Sequence, residues 1–517
     1  MSVAAATRIE LRTGWKAPVV WLVALGATFV LTVAAIDSLY STAADYQSYA
    51  DTVAAAPAMD AINGTPYGAD TLGGIVSNEF GFFTAIAVPL MGLMLVSGRT
   101  RKAEEAGLME LLLSRSIGRR DPWIAAALIA VVTELLLGAL IMTSEIAYGV
   151  PPGGAALYAT SVVGLGAVFS GLAVFVGQLV RRGAGVTGVG VLVLGVVFVA
   201  RAIGAVHDNG WRWASPLAWQ QETRPFTDAP RLWPLLLLFG TAAAFTSAGL
   251  YLVARRDLGA AVVASRHGRP TAGVLLRSRA GLAAHLHGYI ATAWILGTLA
   301  TAAVFGVFTG DIADIVDQMP QMGDVFGTSG SVEAGYVGMM IQLVGLMAVG
   351  AGAASVTRLR SEETADRLEP TLVAVTGRAG WIGPQFLTAL AVAAATHLAG
   401  GLGLWITARS NVGGIWTGVF AQLPAVLLLV AIGLLLVGAV PRLTPLLWAP
   451  LAYVALVAML GTTIRMPEWS MKLSPMYLIG LVPADDVAMG VVAGLVAGTV
   501  ALVVAAAAGM RHRDVPI

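Results

Sequence analysis

Two short groups of charged residues occur in this sequence, each lying between two strongly apolar runs. They are about half a chain length apart, and each contains two adjacent glutamates, a third glutamate and an arginine further along. Carboxylates and arginines form strong charge-assisted hydrogen bonds, which suits contact with another protein. The repetition predicts one partner-binding segment in each half, with Glu104, Glu105, Glu110, Arg115 and Arg119 in the first and Glu362, Glu363, Glu369 and Arg378 in the second.

The first group also has the spacing of a short amphipathic helix at a membrane surface. Leu108, Leu111 and Leu112 supply an apolar side, and the glutamates supply the polar side. A solvated connector is the alternative for either copy alone. A connector has no physical need to repeat the same pattern at equivalent places, so the duplication favours a binding role.

A few ionisable residues lie inside the apolar runs, where charge is costly. Glu134 and Glu145 are eleven residues apart, about three helical turns, which places them on one face. His397 lies in the equivalent run of the second half. The functional interpretation is a central cavity lined by these three residues, which receives a drug-like substrate and would favour a cationic one. The alternatives are hydrogen bonds to neighbouring helices and, for Glu145, contact with the membrane interface.

The sequence contains none of the motifs that would indicate chemistry within the chain. It lacks a G-x-x-x-x-G-K-[ST] phosphate loop, an H-E-x-x-H motif and a nucleophile elbow. It has no cysteine, and its six histidines show no metal-ligand spacing. A net charge of +1 gives no field for nucleic acid. We therefore expect a protein that is not an enzyme and holds no metal or cofactor of its own.

The composition predicts an all-α polytopic membrane protein. Apolar residues make up 57% of the 517 and charged residues 12%, about half the charged fraction of a soluble domain. Twelve apolar runs of spanning length follow an amphipathic segment at residues 1–16. They form two parallel repeats of six helices, in residues 1–254 and 288–517, joined by a basic connector at 255–287. The runs lie near 18–36, 80–96, 123–148, 155–180, 186–205, 232–254, 289–309, 335–356, 381–407, 415–437, 444–464 and 487–509.

The distribution of Lys and Arg predicts the orientation. Most of the 31 basic residues fall on one side if the N-terminus is placed inside the cell. Both termini and both glutamate groups then lie in the cytoplasm. The chain is expected in the cell (plasma) membrane as a multi-pass protein in contact with the lipid bilayer.

The stretch EEAGLMELLLSRSIGRR resembles the cytoplasmic loop of ABC-2 type transporter permeases, in which E-E-x-G-x-x-E-x-L-L precedes the next span. The twelve-span form resembles the actinobacterial multidrug and polyketide-antibiotic exporters, in the tetronasin-resistance-like branch. The resemblance implies that this loop is a coupling helix seated in a separate ATP-binding subunit, of which two copies would bind the chain. It also implies that the partner binds ATP and Mg, and that the cargo is an amphipathic small molecule moved outward.

The second copy departs from this pattern. Pro370 follows Glu369, and Thr371 and Ala374 stand at apolar positions. We therefore expect the two segments to bind their partners unequally, with the first the stronger.

Two other classes of function remain open from the residues alone. A proton-coupled secondary multidrug transporter with twelve spans would use Glu134 as its proton carrier. Such carriers usually join spans two and three by a very short basic loop, whereas this loop is about 25 residues long and carries paired glutamates. A non-transport role, such as a membrane anchor or a subunit for polymer synthesis, is the third class.

Overall fold

Among the residues that the computed structural model describes, twelve helices are long and apolar enough to cross a membrane. Every regular element among the described residues is a helix, which confirms the all-α membrane fold. The structure describes residues 3–55, 60–113, 117–263, 271, 273–310, 331–364, 378–409, 412–460 and 466–512.

The chain divides into two compact units, Met1–His267 and Gly268–Ile517. Each contains six of the candidate spans. The helices of unit 1 are α1 (Val3–Gly14), α2 (Lys16–Leu39), α3 (Ala43–Ala55), α4 (Asp60–Asn63), α5 (Leu72–Glu79), α6 (Gly81–Arg99), α7 (Arg101–Glu105), α8 (Leu108–Leu113), α9 (Asp121–Ala147), α10 (Pro152–Leu179), α11 (Gly183–Val206), α12 (Pro216–Gln221) and α13 (Trp233–Arg255).

Unit 2 repeats this plan of long helices. Its fifth span, Pro441–Ala458, begins as a 3₁₀-helix and continues as an α-helix. The α-helices of unit 2 are α14 (Arg279–Val307), α15 (Val332–Thr364), α16 (Arg378–Thr407), α17 (Val412–Ala439), α18 (Trp448–Leu460), α19 (Glu468–Met471), α20 (Pro475–Ile479) and α21 (Met489–His512).

The same pairs of spans pack together within each unit. The first packs on the third, the second on the third and fourth, the third on the fourth, and the fourth on the sixth. In unit 1 the fourth span, α10, is the most buried. It approaches α13 closely because small residues meet there: a Cβ on Gly171 would lie 2.7 Å from the carbonyl oxygen of Ala242. The shared packing is what two six-helix repeats require.

The two glutamate groups differ in backbone structure, although their sequences are similar. In unit 1 the long helix α6 ends at Arg99, and Thr100 leaves the helical conformation with φ −112° and ψ −89°. In unit 2 the equivalent helix, α15, continues through Glu362 and Glu363 to Thr364. The first segment is therefore built from two short helices, and the second begins as an extension of a span.

Candidate functional site

The segment Arg101–Leu113 follows the second span and consists of α7 and α8. Gly107 joins them with φ +72°, a left-handed conformation that glycine adopts without strain. Thr100 leads into α7, and its hydroxyl donates a hydrogen bond of 2.7 Å to the carbonyl of Val96. The turn at Gly107 separates α7, whose glutamates bond to other parts of unit 1, from α8, whose Leu108 and Leu111 are exposed.

Glu104 lies on α7 and is held by charged partners from its own chain. Its side chain is 4% exposed. Arg256 donates to both carboxylate oxygens, at 2.8 and 3.0 Å. A guanidinium nitrogen of Arg101 lies 3.1 Å from one carboxylate oxygen of Glu104. The backbone N–H of Gly259 donates to the other carboxylate oxygen at 2.7 Å. Arg256 also donates to the side-chain oxygen of Gln178, and we call Arg101, Glu104, Gln178 and Arg256 the Glu104 cluster. This predicted contact residue is thus an internal anchor of the segment.

Glu105, its neighbour, is exposed but bonds to the start of the fifth span. One carboxylate oxygen accepts a hydrogen bond of 3.1 Å from the backbone N–H of Gly183, the first residue of α11. An anion at a helix N-terminus is stabilised by the helix dipole. Two adjacent glutamates therefore connect α7 to two different parts of unit 1.

The helix α8 presents an exposed apolar edge with a charged border. Met109 is buried at 1% and attaches the helix to unit 1, while Leu108 and Leu111 are 53% and 68% exposed. Glu110 on the same helix is exposed, and so is Arg119 in the turn before α9. Arg115 lies outside the described residues. An exposed apolar edge with a polar border is the usual composition of a protein contact.

The second glutamate group is largely folded into unit 2. Glu362 pairs with Arg358 and Glu363 with Arg360, each at 2.8 Å within the same helix. Both glutamates are buried, at 9% and 5% exposure. Glu369 lies outside the described residues, as does the side chain of Arg378, where α16 begins. The described part of this group offers no exposed carboxylate comparable to Glu110.

Glu134 and Glu145 are both buried on α9, at 1% and 0% exposure. One oxygen of Glu134 accepts a hydrogen bond of 2.7 Å from Ser170 of α10. Its other oxygen, and both oxygens of Glu145, have no hydrogen-bond partner among the described residues. Buried carboxylates with so few partners are costly.

His397 is buried in unit 2 at 0% exposure. Its Nε2 lies 3.0 Å from the carbonyl oxygen of Val419 on α17. This is the hydrogen bond between neighbouring helices that the alternative interpretation predicts.

Unit 1 contains a largely apolar cavity of about 700 Å³ between α9, α10 and α13. Leu135, Met142 and Phe239 line it, and Ser170 forms part of its wall. Because Ser170 also bonds to Glu134, that carboxylate lies directly behind the wall. Neither Glu134 nor Glu145 lines this cavity itself.

A cluster centred on Glu222 lies between spans five and six, at the end of unit 1 opposite α7. Its side chain is 4% exposed. Its carboxylate oxygens lie 3.0, 2.9 and 2.8 Å from guanidinium nitrogens of Arg212, Arg224 and Arg231, respectively. Tyr67, from the loop after the first span, donates to it at 2.7 Å. Burial raises the pKa of Glu222, but the hydrogen bonds from Tyr67 and Arg212 and the charge of Arg224 outweigh it, so the pKa lies below its usual value.

The sequence did not indicate this Glu222 cluster. Tyr67 is 155 residues from Glu222 along the chain, and no spacing pattern connects them. Arg256 lies in the basic connector, and its position in the sequence does not indicate a partner, because Glu104 is 152 residues away.

Comparison with known proteins gives a similarity that extends over nearly the whole chain. The family model described as "Multidrug efflux system permease Rv1217c, C-terminal domain" matches residues 276–511. The multidrug efflux system permease protein Rv1217c of Mycobacterium tuberculosis (strain ATCC 25618 / H37Rv) is 30% identical over 520 residues, covering 98% of this chain and 94% of that protein.

Proposed function

Because the chain belongs to the family of the multidrug efflux system permease Rv1217c, we propose that it is the membrane permease of an ATP-binding cassette exporter. In this proposal separate ATP-binding subunits, in two copies, dock on the side that carries α7 and α8. They bind the ATP and Mg, and the chain supplies the path for an amphipathic small molecule. Both termini lie in the cytoplasm. The tetronasin-resistance-like branch stays a prediction.

The observation that carries the proposal is the exposed edge of α8. Leu108 and Leu111 are largely exposed while Met109, between them, is buried. A helix fixed on one side and apolar on the other has a surface for another protein to cover. Glu110 lies exposed on the same helix, so it would set the register of the contact more than its affinity.

The second glutamate group has a smaller part in the proposal. The carboxylates of Glu362 and Glu363 are buried, and each pairs with an arginine of its own helix. A partner subunit docked there would contact them only after those ion pairs separate. We therefore expect the two partner subunits to bind unequally, with the first segment dominant.

Transport in this proposal couples ATP binding in the partner to a change in the spans. Closure of the two partner subunits pushes on α8, and the spans alternate between inward and outward access. A conformational change of this kind requires that the partner bind one state better than the other. Glu134, Glu145 and His397 are proposed to contact the cargo in the state that admits it.

Co-purification tests the class of transporter. The full-length chain, expressed with the ATP-binding subunit encoded nearest to it, is expected to bring that subunit down, and drug efflux from loaded vesicles should require ATP. Efflux that continues without any ATPase and stops when the proton gradient is removed would contradict the proposal and support the proton-coupled alternative.

Charge reversal at Glu104 is a poor test of docking, because that residue is buried in the Glu104 cluster. Substitution of the exposed residues of α8 avoids this problem. Loss of co-purification in such variants, at unchanged expression, would identify α8 as the contact.

A further inference from the structure

We propose that Arg256 is a positioning residue that ties the Arg101–Leu113 segment to the third, fourth and sixth spans, so that force on α8 moves these spans together. This inference rests on the proposed function, because it assumes that a partner pushes on α8. It concerns a residue at the end of the sixth span, outside the segment itself.

Arg256 immediately follows α13 and uses its guanidinium in two directions. Two of its nitrogens donate to the two oxygens of Glu104. Its Nε donates to the side-chain oxygen of Gln178, on the last turn of α10, at 2.9 Å. The rigid fork of arginine allows both contacts at once, which a lysine could not make. One side chain therefore connects α7, α10 and α13.

The third span joins the same group through an aromatic ring. The guanidinium carbon of Arg256 lies 5.9 Å from the ring centroid of Trp123, at the limit of the range for a cation–π contact. Trp123 is 2% exposed and lies at the start of α9, which carries Glu134. The cluster thus also reaches the helix that holds the buried carboxylates.

Arg101 fixes the other side of Glu104. Its Nε donates to the carbonyl of Gly177 and one terminal nitrogen donates to that of Ala260, at 2.7 Å. The chain after α13 is bonded to α10 as well, since the N–H of Val262 donates to the carbonyl of Gln178 at 2.9 Å. Glu104 is therefore enclosed by two arginines and one backbone N–H.

Such a group is stiff, because separating it leaves buried charge without compensation. Breaking one partner of a buried ion pair is strongly unfavourable. Arg101 is 1% and Arg256 is 8% exposed, so water does not easily replace the lost contacts. A displacement of α7 is then shared with α9, α10 and α13, whereas the solvent-facing edge of α8 remains available to a partner.

The adjacent arginine provides a matched control. Arg255 is exposed and lies over the ring of Tyr251, at 4.3 Å from its centroid. It has the same charge and lies at the same helix end as Arg256, but in the part of the chain that the structure describes Glu104 is paired with Arg256 and Arg101, and not with Arg255. Arg255→Gln removes the same charge without touching the cluster.

The first experiment needs no partner. The chain has no cysteine, so a single Leu111→Cys substitution carries one spin label on α8. In lipid nanodiscs, Arg256→Gln and Glu104→Gln are expected to narrow the spectrum of this label, showing faster motion. Arg255→Gln should leave it unchanged. The double variant should be no more mobile than the more mobile single variant, because both changes remove the same contact.

The second experiment measures transport with the ATPase present and uses unlabelled protein. Arg256→Gln is expected to keep co-purification and ATP hydrolysis while efflux falls at least tenfold. Efflux by Arg256→Lys should lie between that of the parent and that of Arg256→Gln. The lysine keeps the attraction to Glu104 but loses the two-pronged geometry of the guanidinium. Arg255→Gln should transport as the parent does.

The outcomes separate this inference from the proposed function. Unchanged label motion in both Arg256→Gln and Glu104→Gln would overturn the tie. Faster label motion with normal efflux would overturn the role of Arg256 in transmitting force from α8 to the spans. Loss of ATPase docking in the well-folded Arg256→Lys variant would overturn that role as well. If the parent chain brings down no ATPase, the proposed function fails, whereas the label still reports whether the tie exists.

Discussion

The exposed leucines of α8 allow a quantitative prediction about docking. We expect the double substitution Leu108→Ser and Leu111→Ser to weaken binding of the ATP-binding subunit without unfolding the permease. Both side chains face outward in the free chain, at 53% and 68% exposure. Their removal therefore affects the complex far more than unit 1 alone.

The magnitude follows from the area still open to water. Complete burial of a leucine side chain contributes about 1.5–3 kcal/mol. With a little over half of each leucine left to bury, docking gains about 1–2 kcal/mol from each and about 2–4 kcal/mol from both. At about 1.4 kcal/mol per factor of ten, the dissociation constant should rise by roughly two orders of magnitude.

The assay is a titration of the ATP-binding subunit onto permease held in nanodiscs. Leu11→Ser on α1 is the matched control, because Leu11 is 47% exposed and lies outside α8. A change of less than threefold in the double α8 variant, at normal melting temperature, would refute the assignment of α8 as the docking surface.

Three further predictions concern acidic residues, two of them buried and the third, Asp60, half-buried. Glu134→Gln is expected to reduce export of a cationic dye at least tenfold at normal expression, with Ser170→Ala having a smaller effect; unchanged export would remove Glu134 from the proposed cargo contacts. Glu222→Gln should lower stability at pH 7 by about 2 kcal/mol, less than a fully buried pair because the arginines are partly exposed. The pKa of Glu222 is depressed, so its contribution is present above its usual pKa and is lost as pH falls through the lower value. The melting temperature of the parent should therefore approach that of the variant in acid, and a constant difference would contradict this. Burial raises the pKa of Asp60 to about 6, although Arg201 opposes the shift, so its ionisation costs stability as pH rises from about 4 to about 6. Asp60→Asn should be more stable than the parent at pH 7.5 by about 1 kcal/mol, discounted for partial exposure, and no more stable at pH 4; an equal gain at both pH values would contradict the assignment.

The twelve spans and the all-helical fold were predictable because hydropathy is a local property. A run of about 20 apolar residues spans a bilayer whatever the rest of the chain does. The repeat was visible for the same reason, since apolar runs and glutamate groups recur in order along the sequence. The amphipathic character of α8 also follows from spacing alone, with Leu108 and Leu111 on one side.

The roles of individual acids were decided by tertiary structure. Glu104 and Glu105 are adjacent and look equivalent in sequence, yet one is enclosed by Arg101 and Arg256 while the other bonds to the N–H of Gly183. The choice depends on where the end of α13 and the start of α11 lie in space. No local pattern contains that information.

The second glutamate group shows the same limit. Its sequence resembles the first, but α15 continues through Glu362 and Glu363 and pairs them with arginines of the same helix. Sequence by itself determined which segments cross the membrane, because transfer into lipid is summed residue by residue. Only the folded chain decided which charges are partners and which face outward, because an ion pair depends on the distance between two side chains that the chain order leaves open.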